Sequence, residues 1–415
     1  MITKETLRDV IVAQREALGR LELGTPREKE KEIKIEDSFA IIIIGIRRCG
    51  KSTFLNQLLM KQKKGYYLNL EDPRLDNFEL SDFNKVEMIT KELYGEGGIY
   101  FFDEIQNIDK WEKFIRYLID KKEKIIITGS NASLLSKELG TKLTGRHLQI
   151  EMFPFSFNEF LGMKKENPSI ESFEEYLYKG GFPEYLKKEN PSILHELLLD
   201  VVMRDIAVRF GIKNTSILNR VAIFLISNVG KEFSYNSIKK TFNIKSVQSV
   251  IDYVAYLENA YLIFTVSRFS YSYKQQQVNP KKAYSIDNGF SYNNSASFSK
   301  DKGKMLENVV FLGLRRKFKD ILYFQEKNEC DFVIKEKEKI KSAVQVCFDL
   351  NEQTKNREID GLLAALKEFN LREGLILTYN QYDKFFIDGK KIVVMPVWKW
   401  LAENETRTSM LLKKR

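Results

Sequence analysis

The chain has 415 residues, of which 43% are hydrophobic and 30% are charged, and its 67 lysines and arginines against 57 aspartates and glutamates give a net charge of +10. This length allows two or three domains, and a content of 8 prolines and 22 glycines excludes collagen-like and low-complexity proteins. The longest apolar run, Phe39–Ile46, is too short to span a membrane, and residues 1–10 are too charged for a secretory signal. We therefore expect a cytoplasmic protein without a membrane segment.

The chain contains 3 cysteines and 2 histidines, which are scattered and show no spacing typical of a zinc site or a disulfide framework. No structural metal is expected. The positive charge favours a polyanionic partner such as DNA if it is concentrated on one face. A generally basic composition without such a partner explains the charge equally well.

Residues 1–36 are predicted to form an N-terminal helix followed by a solvated linker. The linker contains the charge run Arg27–Lys34. The apolar residues that recur at helical spacing in the helix are Leu7, Val10, Ile11 and Leu18.

Residues 37–155 are predicted to form an α/β core, because short apolar runs alternate there with helical segments. This pattern is typical of buried parallel strands that are covered by helices on both faces. The runs are Phe39–Gly45, Gly65–Leu70, Ile99–Phe102, Ile125–Thr128 and Leu148–Met152.

The first of these strands leads directly into the sequence GIRRCGKS at residues 45–52, which matches the P-loop pattern G-x-x-x-x-G-K-[ST]. In such a loop, backbone N–H groups and a helix N-terminus bind phosphate oxygens, while Lys51 reaches the β- and γ-phosphates and Ser52 ligates Mg²⁺. The sequence therefore predicts ATP and Mg²⁺ as cofactors. The predicted nucleotide-binding residues are Gly45, Ile46, Arg47, Arg48, Cys49, Gly50, Lys51, Ser52 and Thr53.

A second apolar strand, Ile99–Phe102, leads into Asp103 and Glu104 at its carboxyl end, where parallel sheets bind their ligands. We expect Asp103 to hold Mg²⁺ and Glu104 to orient or deprotonate the attacking water. An acidic helix cap after a core strand is the alternative for this pair alone. Together with the P-loop, the pair predicts hydrolysis as well as binding.

Two further positions are candidates for catalysis. Ser130 and Asn131 follow the strand Ile125–Thr128 and are candidate sensors of the γ-phosphate, with a helix N-cap as the alternative. Arg146 is a candidate arginine finger that acts in trans on the nucleotide of a neighbouring subunit, with a surface salt bridge as the alternative. A finger in trans requires a homo-oligomer, and a ring is one such arrangement.

Several other segments carry a family resemblance: LNLEDPR at 68–74, FDEIQNIDKWE at 102–112, ITGSNASLL at 127–135, LTGR at 143–146, FPFSFNEFL at 153–161 and GGFPE at 180–184. Together with the P-loop, they resemble the archaeal and bacterial AAA+-related P-loop ATPases that carry a nuclease-like C-terminal domain. The resemblance runs nearly end to end. It implies an ATPase site that contains Lys51, Asp103, Glu104, Ser130 and Arg146.

Residues 156–218 are predicted to form a helical lid, and residues 219–290 resemble a winged helix. The candidate DNA contacts of this module include the N-terminal end of its second helix, which contacts base edges in helix-turn-helix proteins. Protein binding is the alternative, since winged helices also serve as protein contacts. The candidate DNA contacts are Lys239, Lys240, Lys245 and Gln248.

The polar segment Asn288–Lys302 is a predicted linker, and residues 303–415 resemble the PD-(D/E)xK restriction-nuclease fold. That chemistry uses two acidic groups to hold Mg²⁺ and a lysine to stabilise the transition state. The resemblance places the centre at Glu307, Asp331, Gln345 and Cys347. Because an amide and a thiol replace the second acid and the lysine, we expect a degenerate centre that binds nucleic acid without cleaving it.

The expected fold class is α/β, with a P-loop AAA+-like parallel sheet, a helical lid, a winged-helix module and a C-terminal restriction-nuclease-like α/β domain. The favoured function is an ATP- and Mg²⁺-dependent ATPase that couples hydrolysis to DNA binding or remodelling. Two alternatives remain. One is a STAND-like switch that assembles protein partners according to its nucleotide state, and the other is an ATP-regulated nuclease.

Overall fold

A computed structural model describes residues 1–129, 143, 145–296 and 301–403 of the chain. The chain divides into two compact units. The first unit contains Met1–Phe153 together with Asn259–Tyr261, and the second contains Pro154–Glu258 and the described residues from Leu262 onward. Within the described ranges, no helix is both long and apolar enough to cross a membrane.

The first unit is built on a sheet of five parallel strands, which confirms the predicted α/β core. The strand order is β2-β3-β4-β1-β5, so the strand that precedes the P-loop lies inside the sheet. All five residues of this strand are buried, as expected for an apolar strand with helices on both faces. The strands are β1 (Ala40–Ile44), β2 (Gly65–Asn69), β3 (Ile99–Asp103), β4 (Lys124–Gly129) and β5 (His147–Glu151).

Helices and short 3-10 turns connect these strands. The N-terminal helix buries the predicted apolar residues, and the side chain of Thr3 caps it by accepting a hydrogen bond from the backbone N–H of Thr6. The helices are α1 (Lys4–Arg20), α2 (Lys51–Met60), α3 (Phe83–Tyr94) and α4 (Trp111–Asp120). The 3-10 turns are Glu28–Glu32, Pro73–Leu75, Leu80–Asp82 and Ile105–Asn107.

The prediction of a solvated linker after α1 is wrong at Arg27. This residue is only 6% exposed, and its guanidinium donates hydrogen bonds to backbone carbonyl oxygens of the first unit. A run of charged residues predicts solvent exposure because sequence patterns do not show which carbonyl groups lie within reach of a side chain.

The second unit contains a mixed sheet of nine strands in the order β13-β14-β12-β11-β10-β9-β7-β8-β6. Its parallel pairing of β7 with β9 joins the strands before residue 286 to those after residue 320 in one sheet. The strands are β6 (Glu232–Phe233), β7 (Ile263–Arg268), β8 (Lys281–Ser285), β9 (Ile321–Gln325), β10 (Glu329–Glu336), β11 (Lys339–Cys347), β12 (Glu373–Thr378), β13 (Asp383–Ile387) and β14 (Lys390–Pro396).

Along the chain, the helices of the second unit lie before, between and after the strands of this sheet. One helix continues without a break into a π-helical segment, Val201–Val208. The α-helices are α5 (Phe157–Lys164), α6 (Ile170–Lys179), α7 (Pro183–Lys188), α8 (Ser192–Asp200), α9 (Thr215–Ser227), α10 (Tyr235–Thr241), α11 (Val247–Asn259), α12 (Tyr273–Val278), α13 (Asn288–Asn294), α14 (Lys302–Arg315), α15 (Lys355–Glu368) and α16 (Val397–Ala402).

The predicted polar linker begins instead with helix α13. Asp287 caps this helix by accepting from the backbone N–H of Phe290 at 2.8 Å. The amides of Asn288 and Asn294 are buried and donate to the backbone carbonyls of Leu177 and Leu194 at 3.0 and 3.2 Å. The polar residues of this segment therefore satisfy buried backbone groups rather than favouring solvent.

Apolar side chains fill both units beneath their helices. In the first unit, Phe83 of α3 stacks on Phe114 of α4 with ring centroids 4.3 Å apart. In the second, α15 packs its Leu362 and Leu366 into a buried cluster with residues of β10 to β12. These cores fix the strand ends on which the candidate sites depend.

Candidate phosphate-binding site and acidic cluster

The polar strand ends of the first unit meet at one edge of its sheet. β1 and β4 run parallel with Ile44 opposite Gly129, and β3 lies on the other side of β4. The P-loop, the acidic pair after β3 and the end of β4 therefore lie side by side. This is the edge at which open parallel sheets bind ligands.

Two glycines allow the P-loop to follow its path. A Cβ atom on Gly45 would lie 2.1 Å from the backbone oxygen of Met152, so no larger residue fits there. Gly50 has φ 98°, in the left-handed region, and helix α2 begins at the next residue. The loop thus ends at a helix N-terminus, whose free N–H groups favour an anion.

The ammonium group of Lys51 lies inside this loop. It donates hydrogen bonds to the carbonyl oxygens of Gly45 and Ile46 at 3.1 and 3.2 Å, and it lies 4.0 Å from Oε1 of Glu104. The Lys51 side chain is buried, whereas Ser52 and Thr53 are exposed. The positive charge of Lys51 and the hydroxyl groups of Ser52 and Thr53 therefore lie at the start of α2.

Asp103 is buried at the end of β3 and accepts hydrogen bonds from the hydroxyl groups of Thr128 of β4, Tyr67 of β2 and Ser52 of the P-loop. The bond from Tyr67 is 3.2 Å long. Burial raises the pKa of the Asp103 carboxyl above its ordinary value, while hydrogen bonds from Thr128 and Ser52 act in the opposite direction. The contact with Ser52 joins the acidic pair to the P-loop.

Thr128 also fixes the start of the turn that carries Glu104. Its hydroxyl oxygen accepts from the backbone N–H of Glu104 at 3.0 Å, and Glu104 itself adopts a left-handed conformation with φ 51°. The side-chain amide of Gln106 donates to the Glu104 carboxylate. No motif marks Thr128 in the sequence, and its place near the end of a predicted strand is the one signal that points to it.

Arg27 holds the backbone of the P-loop from the outside. Its guanidinium donates to the carbonyl oxygen of Cys49 at 2.9 Å and to that of Phe153 at 2.6 Å. Gln57 of α2 donates to the carbonyl of Thr25 at 2.9 Å and so holds the preceding segment in place. No sequence motif marks Arg27, because it stands in a run of charged residues.

The other residues predicted for this site either lie elsewhere in the structure or fall outside the described residues. Ser130 and Asn131 lie outside the described residues. Arg146 precedes β5 at the opposite edge of the sheet, where its carbonyl accepts from the N–H of Ala40 at 3.2 Å. Its side chain pairs with Asp120 at 2.6 Å, and both side chains are more than half exposed. Arg146 therefore lies away from the P-loop of its own chain.

Of the two loop arginines, Arg48 is exposed and Arg47 is partly buried. The guanidinium of Arg47 lies 3.8 Å from a carboxylate oxygen of Glu71. Ile46 and Cys49 are buried, so they contribute to the site through their backbone groups.

The side chains at this edge fit a nucleoside triphosphate with Mg²⁺. Lys51 supplies a positive charge for phosphate oxygens, and the hydroxyl of Ser52 with the carboxylate of Asp103 supplies the oxygen ligands that Mg²⁺ prefers. Glu104 lies beside Lys51 and carries a carboxylate that accepts a proton. The arrangement can bind a phosphate chain and activate a water molecule next to it.

A separate acidic cluster lies in the second unit and contains three of the four residues of the predicted nuclease centre. Glu307 of α14 and Asp331 of β10 surround the ammonium of Lys282, which lies 3.4 Å from Oε1 of Glu307 and 3.1 Å from Oδ1 of Asp331. A third carboxylate, that of Glu329, lies 2.5 Å from the same ammonium. Lys282 was not among the predicted residues, because it comes from β8 and not from the strand on which the nuclease pattern places its lysine.

Gln345 joins the edge of this cluster, and Cys347 does not. The amide oxygen of Gln345 accepts from the N–H of Asp331 at 3.1 Å, and its nitrogen donates to Glu358 at 2.6 Å. Cys347 is buried in β11 with its thiol directed to the carbonyl of Asp349, and burial raises the pKa of this thiol. Among the residues that the structure describes, no group of three or more acidic, histidine or cysteine side chains is arranged to hold a metal ion. The donor set therefore does not fit the metal ion that the resemblance implied.

The predicted DNA contacts lie on helices α10 and α11 and, in the case of Lys245, in the turn between them. Lys240, Lys245 and Gln248 are exposed, and Lys239 is partly exposed. The side-chain amide of Gln248 donates to Asp252 of the same helix at 2.9 Å. These residues offer charge and hydrogen-bonding groups at the surface.

Two protein-family models match parts of this chain, and two uncharacterized proteins are similar to most of it. A family model described as an AAA domain matches residues 37–161, and a model described as a domain of unknown function matches residues 170–299. An uncharacterized protein of the archaeon Methanocaldococcus jannaschii is 37% identical, over 96% of this chain and 96% of its own length. An uncharacterized protein of Haemophilus influenzae is 31% identical, over 88% of this chain and 96% of its own length.

Similarity to solved structures is much weaker. The AMPPCP-bound DnaA of Aquifex aeolicus aligns with 62% of this chain and 89% of its own at 13% identity, with a TM-score of 0.25. A TM-score of this size does not support a shared overall fold.

Proposed function

Because this chain belongs to the P-loop AAA+-like family, we propose that it is an ATP- and Mg²⁺-dependent ATPase that couples hydrolysis to DNA binding or remodelling. The observation that carries the proposal is the placement of Lys51, Asp103 and Glu104 at one sheet edge. A protein that only binds nucleotide and Mg²⁺ does not need a second carboxylate, in addition to that of Asp103, beside the phosphate site. Glu104 in this position supports hydrolysis.

Each residue has a separate role in this proposal. Lys51 contacts the β- and γ-phosphate oxygens in exchange for the two loop carbonyls that it contacts here, while the N–H groups at the start of α2 bind further oxygens. Ser52 and Asp103 hold Mg²⁺, which when bound neutralises phosphate charge. Glu104 orients the attacking water and accepts its proton.

DNA binding is proposed from the order of elements between residues 215 and 285. Helix α9, strand β6, helices α10 and α11, strand β7, the short helix α12 and strand β8 follow one another, and β8 pairs with both β6 and β7. Apart from α12, this order is the one expected of a winged helix, in which the last of the three helices contacts the major groove. Exposed Lys240, Lys245 and Gln248 and the net charge of +10 support an anionic partner.

The steady-state rate of phosphate release with and without duplex DNA tests this coupling. If hydrolysis acts on DNA, saturating duplex changes the turnover rate several-fold, because bound DNA then favours one state of the cycle. Turnover that is unaffected by DNA would favour a nucleotide-gated switch that assembles protein partners.

An oligomer with Arg146 acting in trans forms part of the same proposal. The Arg146–Asp120 ion pair is exposed at both ends, and such a pair contributes little stability, so the guanidinium is available to a neighbouring subunit. Mixing Arg146→Ala chains with Lys51→Ala chains tests this role, because each variant supplies the half-site that the other lacks. Recovery of activity in the mixture supports a finger. Mixtures that co-assemble without any recovery would give Arg146 a structural role.

A further inference from the structure

The acidic cluster of the second unit contains a buried positive charge of its own. Lys282 is 2% exposed, and its ammonium lies within hydrogen-bond distance of carboxylate oxygens of Glu307, Glu329 and Asp331. An ammonium group has three N–H donors, so these three contacts use all of them. Lys282 is therefore fully paired within the cluster.

We propose that the ammonium of Lys282 is the resident cation of this cluster and occupies the place that a divalent metal ion takes in nucleases of this pattern. The wild-type chain then binds no divalent metal at Glu307 and Asp331. The inference concerns the second unit and does not rest on the proposed ATPase activity.

The hydrogen bonds of the carboxylates support this assignment. The two oxygens of Glu307 accept from Tyr284 at 2.7 Å and from Lys304 at 2.6 Å, in addition to the contact with Lys282. The second oxygen of Asp331 accepts from the N–H of Val346 at 3.0 Å. Mg²⁺ requires near-octahedral oxygen ligands at about 2.0–2.1 Å, and these oxygens already have other partners.

The neighbouring amide does not complete a metal site either. The oxygen of Gln345 accepts from the N–H of Asp331, and its nitrogen faces Glu358. A metal ion would thus receive no free oxygen from Gln345, and it would also meet the positive charge of Lys282 at close range. The two cations exclude each other.

Removal of Lys282 should allow the cluster to bind a divalent metal ion in place of the ammonium group. After this removal Lys304 still contacts Glu307, but Asp331 loses the ammonium that lies 3.1 Å away, and a buried carboxylate without its cation is strongly destabilising. In the variant Lys282→Met the side chain remains unbranched, is one atom shorter and carries no charge. The carboxylates then favour a small divalent cation, and oxygen ligands of this kind suit Mn²⁺ as well as Mg²⁺.

The test is a titration of the nucleotide-free full-length protein with Mn²⁺, in which electron paramagnetic resonance measures the unbound metal. Lys304→Met is the matched control, because it removes another lysine that contacts Glu307 but leaves Lys282 in place. Asp331→Asn, introduced into any variant that binds metal, identifies binding at this cluster. Binding that survives Asp331→Asn belongs to another part of the chain.

We expect Lys282→Met to gain about one Mn²⁺ site per chain that Asp331→Asn removes, whereas the wild type and Lys304→Met gain none. We also expect Mn²⁺ to raise the midpoint of thermal unfolding of Lys282→Met and to leave that of the wild type unchanged. A folded Lys282→Met that binds no Mn²⁺ would overturn the proposal. If Lys282→Met does not fold, the titration of the wild type is the test. Mn²⁺ binding to the wild type that Asp331→Asn abolishes would contradict the proposal. A wild type without such Mn²⁺ binding supports it.

Discussion

The guanidinium of Arg27 donates a hydrogen bond of 2.9 Å to the backbone carbonyl of Cys49, in the middle of the P-loop. A second bond from the same group reaches the carbonyl of Phe153, directly after the end of the sheet. One planar side chain thus connects two backbone segments, the P-loop at Cys49 and the segment that follows β5 at Phe153. The fork of an arginine can make both bonds at once, which a lysine ammonium does less well.

We expect Arg27→Ala to weaken ATP binding and to lower the free energy of unfolding, because two buried carbonyl groups lose a charged donor. Each lost bond of this kind costs about 1–3 kcal/mol. Nucleotide titration calorimetry and urea unfolding measure the two effects, with Arg27→Lys expected between wild type and alanine. Lys34→Ala, an exposed position of the same charge run, is the control. Equal behaviour of Arg27→Ala and Lys34→Ala would contradict the role of Arg27.

Thr128 gives a prediction about the pH dependence of hydrolysis. The hydrogen bond from its hydroxyl lowers the pKa of the Asp103 carboxyl, whereas burial raises that pKa. Removal of the hydroxyl in Thr128→Val therefore raises this pKa further, so that the ionised carboxylate is lost at a higher pH when the solution is acidified. We expect the acidic limb of the pH–rate profile to move upward and kcat to fall about tenfold or more. Thr128→Ser keeps the hydroxyl and should resemble the wild type, and an unshifted profile in Thr128→Val would refute the assignment.

Asp287 predicts a pH dependence of stability in the second unit. Its buried carboxylate accepts from the N–H groups of Gly181 and Phe290, and burial raises its pKa from 3.8 to about 6. Because the folded-state pKa lies above the unfolded value, this group contributes stability that is fully present below pH 3.8 and is lost as the pH rises through about 6.

We therefore expect the free energy of unfolding of the wild type to fall across this interval by roughly 3 kcal/mol more than that of Asp287→Asn. Other carboxylates titrate in the same range, so the difference between the two proteins is the quantity to measure. Urea unfolding at a series of pH values provides it. Parallel curves for the two proteins would show that Asp287 does not titrate as described.

DNA binding through α10 and α11 should depend steeply on salt. The logarithm of the association constant is expected to fall by about 0.9 per neutralised phosphate against the logarithm of salt concentration. Reversal of Lys239, Lys240 and Lys245 to glutamate should weaken binding and flatten this slope, without changing basal ATP hydrolysis.

The matched control reverses Lys337, Lys339 and Lys341, which are exposed on the β10–β11 hairpin of the same unit and give the same change in net charge. Fluorescence anisotropy with a labelled duplex measures both triple variants. If the two lose affinity equally, charge alone and not the surface around α10 and α11 accounts for binding.

The parts of the ATPase site that follow each other in sequence could be predicted from it. The spacing around Lys51 and the four apolar residues before Asp103 show both the residue types and their place at a strand end. The five parallel strands followed from apolar runs of the right length. Local patterns of this kind indicate both the secondary structure and the position of a residue within it.

Residues that arrive from other elements could not be predicted in this way. Arg27 begins a run of mixed charge and Lys282 follows another lysine, and only the fold shows that each is buried against oxygen atoms from distant segments. Thr128 acts through strand order, which places β4 beside β3. The helix at Asn288–Asn294 was missed because buried asparagines that bind backbone carbonyls look like a polar linker in sequence.

The most direct test of the account compares ATP affinity and phosphate release in Lys51→Ala and Glu104→Gln, with the wild type as reference. Lys51→Ala should lose tight ATP binding, because the ammonium group within the phosphate loop is gone. Glu104→Gln should bind ATP as the wild type does and release phosphate at least a hundredfold more slowly, a barrier increase of about 3 kcal/mol. A Glu104→Gln protein that hydrolyses ATP at the wild-type rate would contradict the assignment of this carboxylate and, with it, the proposed mechanism.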